Sequence, residues 1–128
     1  MQLRLIDDLP FVSVVVVHDG NVVEIPNVLL DTGSASTIFS ADTMVQIGIV
    51  PTPNDVLHTI RGVGGTEVVF LRQLEQIQIG KKSLRDFEIE IGGMDYGFDI
   101  NGIVGMNFLL TSGAIIDLFD LQMSFAEG

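Results

Sequence analysis

The chain has 128 residues, of which 47% are hydrophobic and only 18% are charged. Because the charged fraction is below the ~25% of typical soluble domains, one copy has few polar groups to cover its surface, and we expect an oligomer. The length predicts a single domain over residues 1–128. Seventeen acidic against six basic residues give a formal net charge of −11, so the chain lacks the basic face that nucleic-acid binding requires.

The absence of cysteine excludes disulfides, thiol catalysis and cysteine-based zinc sites. The two histidines, His18 and His58, are far apart in sequence, so we predict neither a metal nor a cofactor. The segment Met1–Asp8 carries acids where a signal peptide needs an apolar run. The uncharged segment Ile100–Ile116 is too short to span a membrane. We therefore expect a cytoplasmic protein with no membrane partner.

Twenty-nine Val and Ile residues against four Ala predict a mainly β fold. Turns are predicted at Asp19-Gly20-Asn21 and at Gly80-Lys81-Lys82. The alternation in Phe87–Ile91 indicates a strand with one solvent-facing side. The predicted strands are Phe11–Val17, Val22–Ile25 with its continuation to Leu30, Leu57–Arg61, Glu67–Leu74, Glu75–Ile79 and Phe87–Ile91.

Two short helices are predicted between these strands. The first covers Ala41–Ile47, with Ser40 or Asp42 as its N-cap. The second covers Asn107–Thr111 and ends before Gly113. The tail from Ala114 to Phe125 is predicted to form two strands around a turn at Phe119-Asp120.

The most informative segment is Leu29-Leu30-Asp31-Thr32-Gly33-Ser34, in which an apolar strand ends at an acid. One interpretation is an Asx-turn, with Asp31 bonding local amides and Gly33 supplying an unusual backbone angle. The other is a catalytic carboxylate held by a turn. The segment alone does not distinguish the two interpretations.

Two further segments bear on this choice. Ile60-Arg61-Gly62-Val63-Gly64-Gly65 is a glycine-dense hairpin tip, and no Lys-Ser/Thr or helix start follows it, which argues against a phosphate-binding loop. Ile103-Val104-Gly105 places an apolar pair and a glycine before the second predicted helix. With Asp31-Thr32-Gly33-Ser34, these motifs stand in the order found in retropepsin-like aspartic proteases, and from about Phe11 to Phe125 the chain resembles that family.

The resemblance implies an all-β, closed-barrel-like acid protease fold that forms a homodimer and hydrolyses peptide bonds in extended polypeptides. It implies that Asp31, Thr32 and Gly33 are catalytic. Because two carboxylates must share one proton and the chain has a single Asp-Thr-Gly, Asp31 of a second copy would supply the other. The implied substrate-binding residues are Ser34, Ile60, Arg61, Gly62, Val63, Gly64, Ile103 and Val104.

By the same resemblance, Thr32 would join the two loops across the dimer axis and Ser34 would hydrogen-bond the carboxylate. Gly33 would let the substrate backbone approach, and the segment Ile60–Gly65 would be a flap that closes over the substrate. Arg61 stands where viral members usually have glycine. It could face the cleft and favour acidic substrate side chains, or pair with a surface acid such as Glu67.

The chain also departs from the viral pattern. Viral members have Gly-Arg-Asn where this chain has Gly105-Met106-Asn107, and their arginine pairs with an acid at the position of Ala35. Both partners of that ion pair are missing together. Their absence bears on the dimer geometry and on contacts with the ends of the substrate. Two alternatives to the protease stand beside it: a catalytically silent retropepsin-like domain used for dimerisation or peptide binding, and an unrelated small β-barrel that binds an apolar ligand.

Overall fold

The computed structural model describes residues 1–62, 65–93 and 99–127. These residues form ten strands and two short helices. The elements are β1 (Arg4–Ile6), β2 (Leu9–His18), β3 (Asn21–Leu30), β4 (Ile38–Ser40), α1 (Ala41–Val45), β5 (Leu57–Gly62), β6 (Gly65–Ile79), β7 (Lys82–Gly92), β8 (Gly102–Val104), α2 (Met106–Ser112), β9 (Ala114–Asp117) and β10 (Gln122–Phe125).

Eight strands form one sheet in the order β1-β2-β3-β8-β4-β7-β6-β5, and a further pairing of β2 with β6 closes the middle strands into a ring. Most neighbours are antiparallel hairpin partners, but β8 runs parallel to β3 and β4 runs parallel to β7. The predicted all-β, closed-barrel-like fold is therefore confirmed. The turn at Asp19-Gly20 needs left-handed backbone angles, which both residues adopt.

The ring buries one large apolar core. Its members come from alternating positions of the strands and from both helices, as the pleat of a β-strand requires. Fully buried side chains in this core include Val14, Val16, Val28, Phe39, Leu74, Ile77, Ile91, Val104 and Phe108. A second apolar cluster lies on the other side of the sheet and consists of Phe11, Ile38, Val69 and Ile100, with Leu29, Ile60 and Ile103 packed against it.

Both predicted helices are present with slightly different ends. Ser40 is the N-cap of α1, since its hydroxyl accepts a hydrogen bond from the Thr43 amide, whereas Asp42 lies in the first turn. Helix α2 covers Met106–Ser112, and Gly113 is its C-cap. The φ of Gly113 is 67°, in the left-handed region that glycine tolerates. No helix in residues 1–62, 65–93 and 99–127 is long and apolar enough to cross a membrane.

The tail forms the predicted pair of strands, with β9 antiparallel to β10 and a turn between them. The first residues of the chain extend this small sheet. The amide of Met123 donates to the carbonyl of Met1, and the amide of Leu3 donates to the carbonyl of Leu121, both at 2.8 Å. The first residues of the described chain therefore pack against β10 and the turn before it.

Candidate active site

Asp31 lies at the point where β3 leaves the sheet. The last paired residue of β3, Leu30, is opposite Val104 of β8. The Asp31 amide continues this pairing by donating to the Val104 carbonyl at 3.0 Å. The acid is half-buried, whereas Thr32 and Gly33 are exposed. The chain thus holds the Asp31 backbone in the sheet and leaves the following two residues open to solvent.

The carboxylate of Asp31 is oriented by its own loop. Asp31 Oδ1 accepts a hydrogen bond of 2.8 Å from the Gly33 amide, which is the Asx-turn considered from the sequence. Gly33 does not need a left-handed backbone angle, so that part of the interpretation is wrong. A Cβ at Gly33 would instead lie 3.1 Å from Asp31 Oδ1. A side chain at Gly33 would therefore push the carboxylate by a few tenths of an ångström.

The loop after Asp31 is fastened from below by the start of α2. The amide of Met106 donates to the Ser34 carbonyl at 2.7 Å, and the amide of Asn107 donates to the Ala35 carbonyl at 3.1 Å. Gly105 makes this approach possible, since a Cβ there would lie 2.0 Å from the carbonyl oxygen of Ser36. Met106 stands where viral members have the arginine of the ion pair. In this chain, backbone hydrogen bonds join Ser34 and Ala35 to Met106 and Asn107.

Ser34 does not bond the Asp31 carboxylate within this one chain. Its hydroxyl donates to the Ser36 carbonyl at 2.8 Å, and its amide donates to the Asp31 carbonyl at 3.2 Å. The side chain therefore tightens the turn itself. The role expected for Ser34 as a direct partner of the carboxylate is not what the described residues show.

A buried polar pair below the loop was not predicted from the sequence. The Thr37 hydroxyl donates to Asn107 Oδ1 at 2.7 Å and accepts from the Gly105 amide at 3.2 Å. Thr37 has no exposed surface. Asn107 Oδ1 also accepts from the Phe108 amide. The pair locks the end of the Asp31 loop to the first turn of α2.

The glycine-dense segment is a β-hairpin, as predicted. Strands β5 and β6 pair in continuous register, with Ile60 opposite Glu67 and Gly62 opposite Gly65. The side chain of Ile60 is half-buried against the second apolar cluster. Val63, Gly64 and the side chain of Arg61 lie outside the described residues, so the role of Arg61 stays a prediction.

Ile103 and Val104 point to opposite sides of the sheet. Ile103 is half-buried and packs against the second apolar cluster with Ile60. Val104 is fully buried in the main core and presents no surface to a bound peptide. Of the two, only Ile103 has exposed side-chain surface, so a direct substrate contact of Val104 is not what the structure shows, and that of Ile103 stays a prediction.

The segment before β5 is anchored to β6 by an ion pair that the sequence did not indicate. Arg72 donates two hydrogen bonds to Asp55, at 2.8 and 3.1 Å, and a third to the Val50 carbonyl at 2.7 Å. These bonds from Arg72, followed by the hydrogen bond from the Thr52 amide, lower the pKa of Asp55 to about 2. The pair fixes the segment that leads into the hairpin.

Glu90 is buried, although the alternation of Phe87–Ile91 predicted a solvent-facing side. It is only 7% exposed, and Oε2 accepts no hydrogen bond from any described residue. The prediction is confirmed at Glu88, which is exposed, and is wrong at Glu90, where this face lies beside the second apolar cluster. Among residues 1–62, 65–93 and 99–127, no group of three His, Asp or Glu side chains could hold a metal ion.

A closed β ring, in which the Asp-Thr-Gly loop is held by a parallel strand and a short helix, is the architecture of an acid-protease fold. A family model described as aspartyl protease matches residues 13–108, about three quarters of the chain. The chain matches no curated protein sequence with significance. The family match shows that this chain belongs to the retropepsin-like aspartyl proteases, so the resemblance inferred from the three motifs is confirmed and the unrelated β-barrel alternative is wrong.

Proposed function

We propose that this chain is an aspartic endopeptidase that acts as a homodimer, with Asp31 of each copy at the dimer axis. The family match supports a protease-like domain. The observation that carries the proposal is the half-buried Asp31 carboxylate, one oxygen of which is held by the Gly33 amide. Its loop is braced from below by the backbone of Met106 and Asn107.

The second copy is required by the chemistry. Two carboxylates a few ångströms apart hold one proton between them, so one accepts a proton from water while the other donates to the peptide carbonyl. Water then adds to the carbonyl carbon, and the tetrahedral intermediate breaks its C–N bond as the nitrogen takes up a proton. One chain supplies a single Asp-Thr-Gly, so a two-fold axis beside Asp31 completes the pair.

The exposed surface of the chain supports association with a second copy. Thr32 and Gly33 are exposed directly after the end of β3, where Leu30 is buried. Several large apolar side chains on α2 and the tail are also exposed, among them Leu110 at 71%, Leu118 at 65% and Phe119 at 95%. Apolar surface of this kind is typical of an interface between subunits. We infer that residues 1–128 act as one domain and that two such domains enclose the substrate.

In the proposed enzyme, an extended polypeptide lies over Asp31 and beneath the β5–β6 hairpin. Gly33 has no side chain to block the peptide backbone, and Ile60 and Ile103 offer apolar contacts on the second apolar cluster. The hairpin containing Gly62, Val63 and Gly64 would act as a flap, because glycines lower the cost of opening and closing.

The test is cleavage of a diverse peptide library from about pH 3 to about pH 8, read by mass spectrometry. The purified protein is compared with Asp31→Asn, after light scattering has established the oligomeric state of both. We expect cleavage that Asp31→Asn reduces at least about 1,000-fold and that a hydroxyl-bearing transition-state mimic blocks.

An Asp31→Asn variant as active as the parent would overturn the assignment of the catalytic acid. A folded dimer that cleaves nothing at any pH would instead favour the silent alternative, in which the domain binds peptides or dimerises without turnover.

A further inference from the structure

We propose that Glu90 makes this site selective for a substrate with a lysine or arginine two or three residues from the scissile bond. The proposal rests on the proposed function, since it names the substrate class of the same site. It begins from one observation: a carboxylate oxygen of Glu90 is buried and accepts no hydrogen bond from the described residues.

A buried carboxylate oxygen without a hydrogen-bond partner is costly, because that oxygen has lost water and gained no hydrogen bond in return. Such a group is retained where something outside the chain can satisfy it. A cationic side chain does this best, since a charge-assisted hydrogen bond is stronger than one between neutral groups. The ligand that fits Glu90 is therefore an ammonium or guanidinium group.

The backbone of Glu90 lies beside the end of the Asp31 loop. The Glu90 amide donates to the carbonyl of Thr37, where that loop ends and β4 begins, at 2.9 Å. Leu29 is opposite Ile103, Ile103 is opposite Ile38, and Ile38 is opposite Glu90. Residues opposite one another in paired strands share a face of the sheet, so Glu90 lies on the face of the second apolar cluster.

The distances fit an extended peptide. Glu90 is three strands away from β3, or about 14 Å at the usual strand spacing. Two or three residues of extended peptide cover about 7 to 10 Å of this, and the four-methylene stem of lysine covers the remainder. The stem would run along the apolar side chains of Ile38 and Ile103 while its charged end reaches Glu90.

A second carboxylate lies on the same face. Glu67 pairs with Ile60 across the hairpin, and its Oε1 lies so close to Gly92 that a Cβ at that residue would be 2.6 Å away. Gly92 is two residues after Glu90 and therefore points the same way. The local charge of this face and the net charge of −11 both favour approach of a cationic peptide.

Cleavage of a peptide library, read by mass spectrometry, first shows which position two or three residues from the scissile bond prefers a basic side chain. The experiment then compares two peptides that differ only at that position, one with lysine and one with methionine. The proteins are the parent, Glu90→Gln, and Glu88→Gln as a matched control. Glu88 is an exposed acid two residues earlier on β7, so its variant removes the same charge from the surface. Thermal unfolding checks that all three are folded.

We expect the parent to cleave the lysine peptide with about tenfold higher kcat/KM than the methionine peptide. Glu90→Gln should bring the ratio of kcat/KM for the two peptides close to one, and Glu88→Gln should keep the parent's ratio. Equal preferences in the parent and Glu90→Gln would overturn the proposal. An equal loss in Glu88→Gln would also overturn it, because overall charge would then be the cause.

A binding measurement separates this inference from the proposed catalysis. The same two peptides, labelled with a fluorophore, are titrated with Asp31→Asn and with Asp31→Asn/Glu90→Gln, and fluorescence anisotropy is recorded. Preference for the lysine peptide that disappears with Glu90 supports the inference even if the parent cleaves nothing. Equal binding of both peptides, or no binding of either, contradicts it.

Discussion

Thr37 and Asn107 are 70 residues apart in sequence, and a hydrogen bond of 2.7 Å joins the Thr37 hydroxyl to Asn107 Oδ1. The same hydroxyl accepts from the Gly105 amide. Thr37 ends the loop that Asp31 begins, and Asn107 lies in the first turn of α2. This buried bond therefore couples the geometry of the candidate catalytic loop to the helix beneath it.

Replacing Thr37 with valine is expected to destabilise the protein by about 1–3 kcal/mol, because the buried Gly105 amide loses its side-chain acceptor and the half-buried Asn107 Oδ1 keeps only the Phe108 amide as a donor. Thr37→Ser keeps the hydroxyl and loses one methyl group, so it should cost only about 1 kcal/mol. Urea unfolding monitored by circular dichroism measures both. A Thr37→Val variant as stable as the parent would show that the two hydrogen bonds of the hydroxyl contribute nothing to stability, because valine keeps the methyl group and removes only the hydroxyl.

Gly105→Ala is expected to be more damaging. An added Cβ would lie 2.0 Å from the carbonyl oxygen of Ser36 and 2.7 Å from that of Ser34. Both are backbone atoms of the Asp31 loop and cannot rotate away, so we expect a loss of about 3 kcal/mol or more. Gly93→Ala is the control, since the nearest atom to its Cβ among the described residues would be Glu67 Oε1 at 3.7 Å, an ordinary contact. A Gly105→Ala variant as stable as this control would contradict the close packing.

The sequence predicted the elements that have a strong local signal. The apolar run of β2, the hairpin at Asp19-Gly20 and the capped helix α1 after Ser40 all depend on residues near one another in the chain. The family resemblance added the Asp31 loop and its relation to Gly105. These parts were predictable because local propensity and motif order agree with the final fold.

Other parts depend on contacts between distant segments. Strands β4 and β8 have three residues each, too few to show a periodicity, and they exist because each pairs on both sides. The alternation around Glu90 indicated a solvent-facing side because one sequence does not reveal which strands will cover it. The Thr37–Asn107 and Arg72–Asp55 pairs likewise join residues brought together only by the ring.

The ion pair between Arg72 and Asp55 should make stability depend on pH. Its hydrogen bonds lower the pKa of Asp55 to about 2 from an ordinary value of 3.8, so the unfolded chain binds more protons between these values. The stabilisation is complete above about pH 4 and is lost as the pH falls through 2. Asp55→Asn should therefore lower the melting temperature at neutral pH, and the difference from the parent should shrink towards pH 2.

Glu75→Gln is the matched control for this measurement, since Glu75 is an exposed acid on the same strand as Arg72. Its variant should change stability by less than about 0.5 kcal/mol. A melting-temperature difference for Asp55→Asn that stays constant between pH 7 and the acid limit would show that charge pairing with Arg72 does not stabilise the segment before β5.

The proposed dimer can be tested through Thr32, because the chain has no cysteine of its own. Thr32 is exposed beside Asp31, so in a dimer with both acids at the axis the two Thr32 residues approach each other. Thr32→Cys should form an intermolecular disulfide under mild oxidation, which requires Cα atoms about 4.4–6.8 Å apart. Val22→Cys, 66% exposed at the far end of β3, is the control and should stay mostly unlinked. Non-reducing electrophoresis measures the cross-linked fraction, and similar low fractions for both variants would argue against an axis at Asp31.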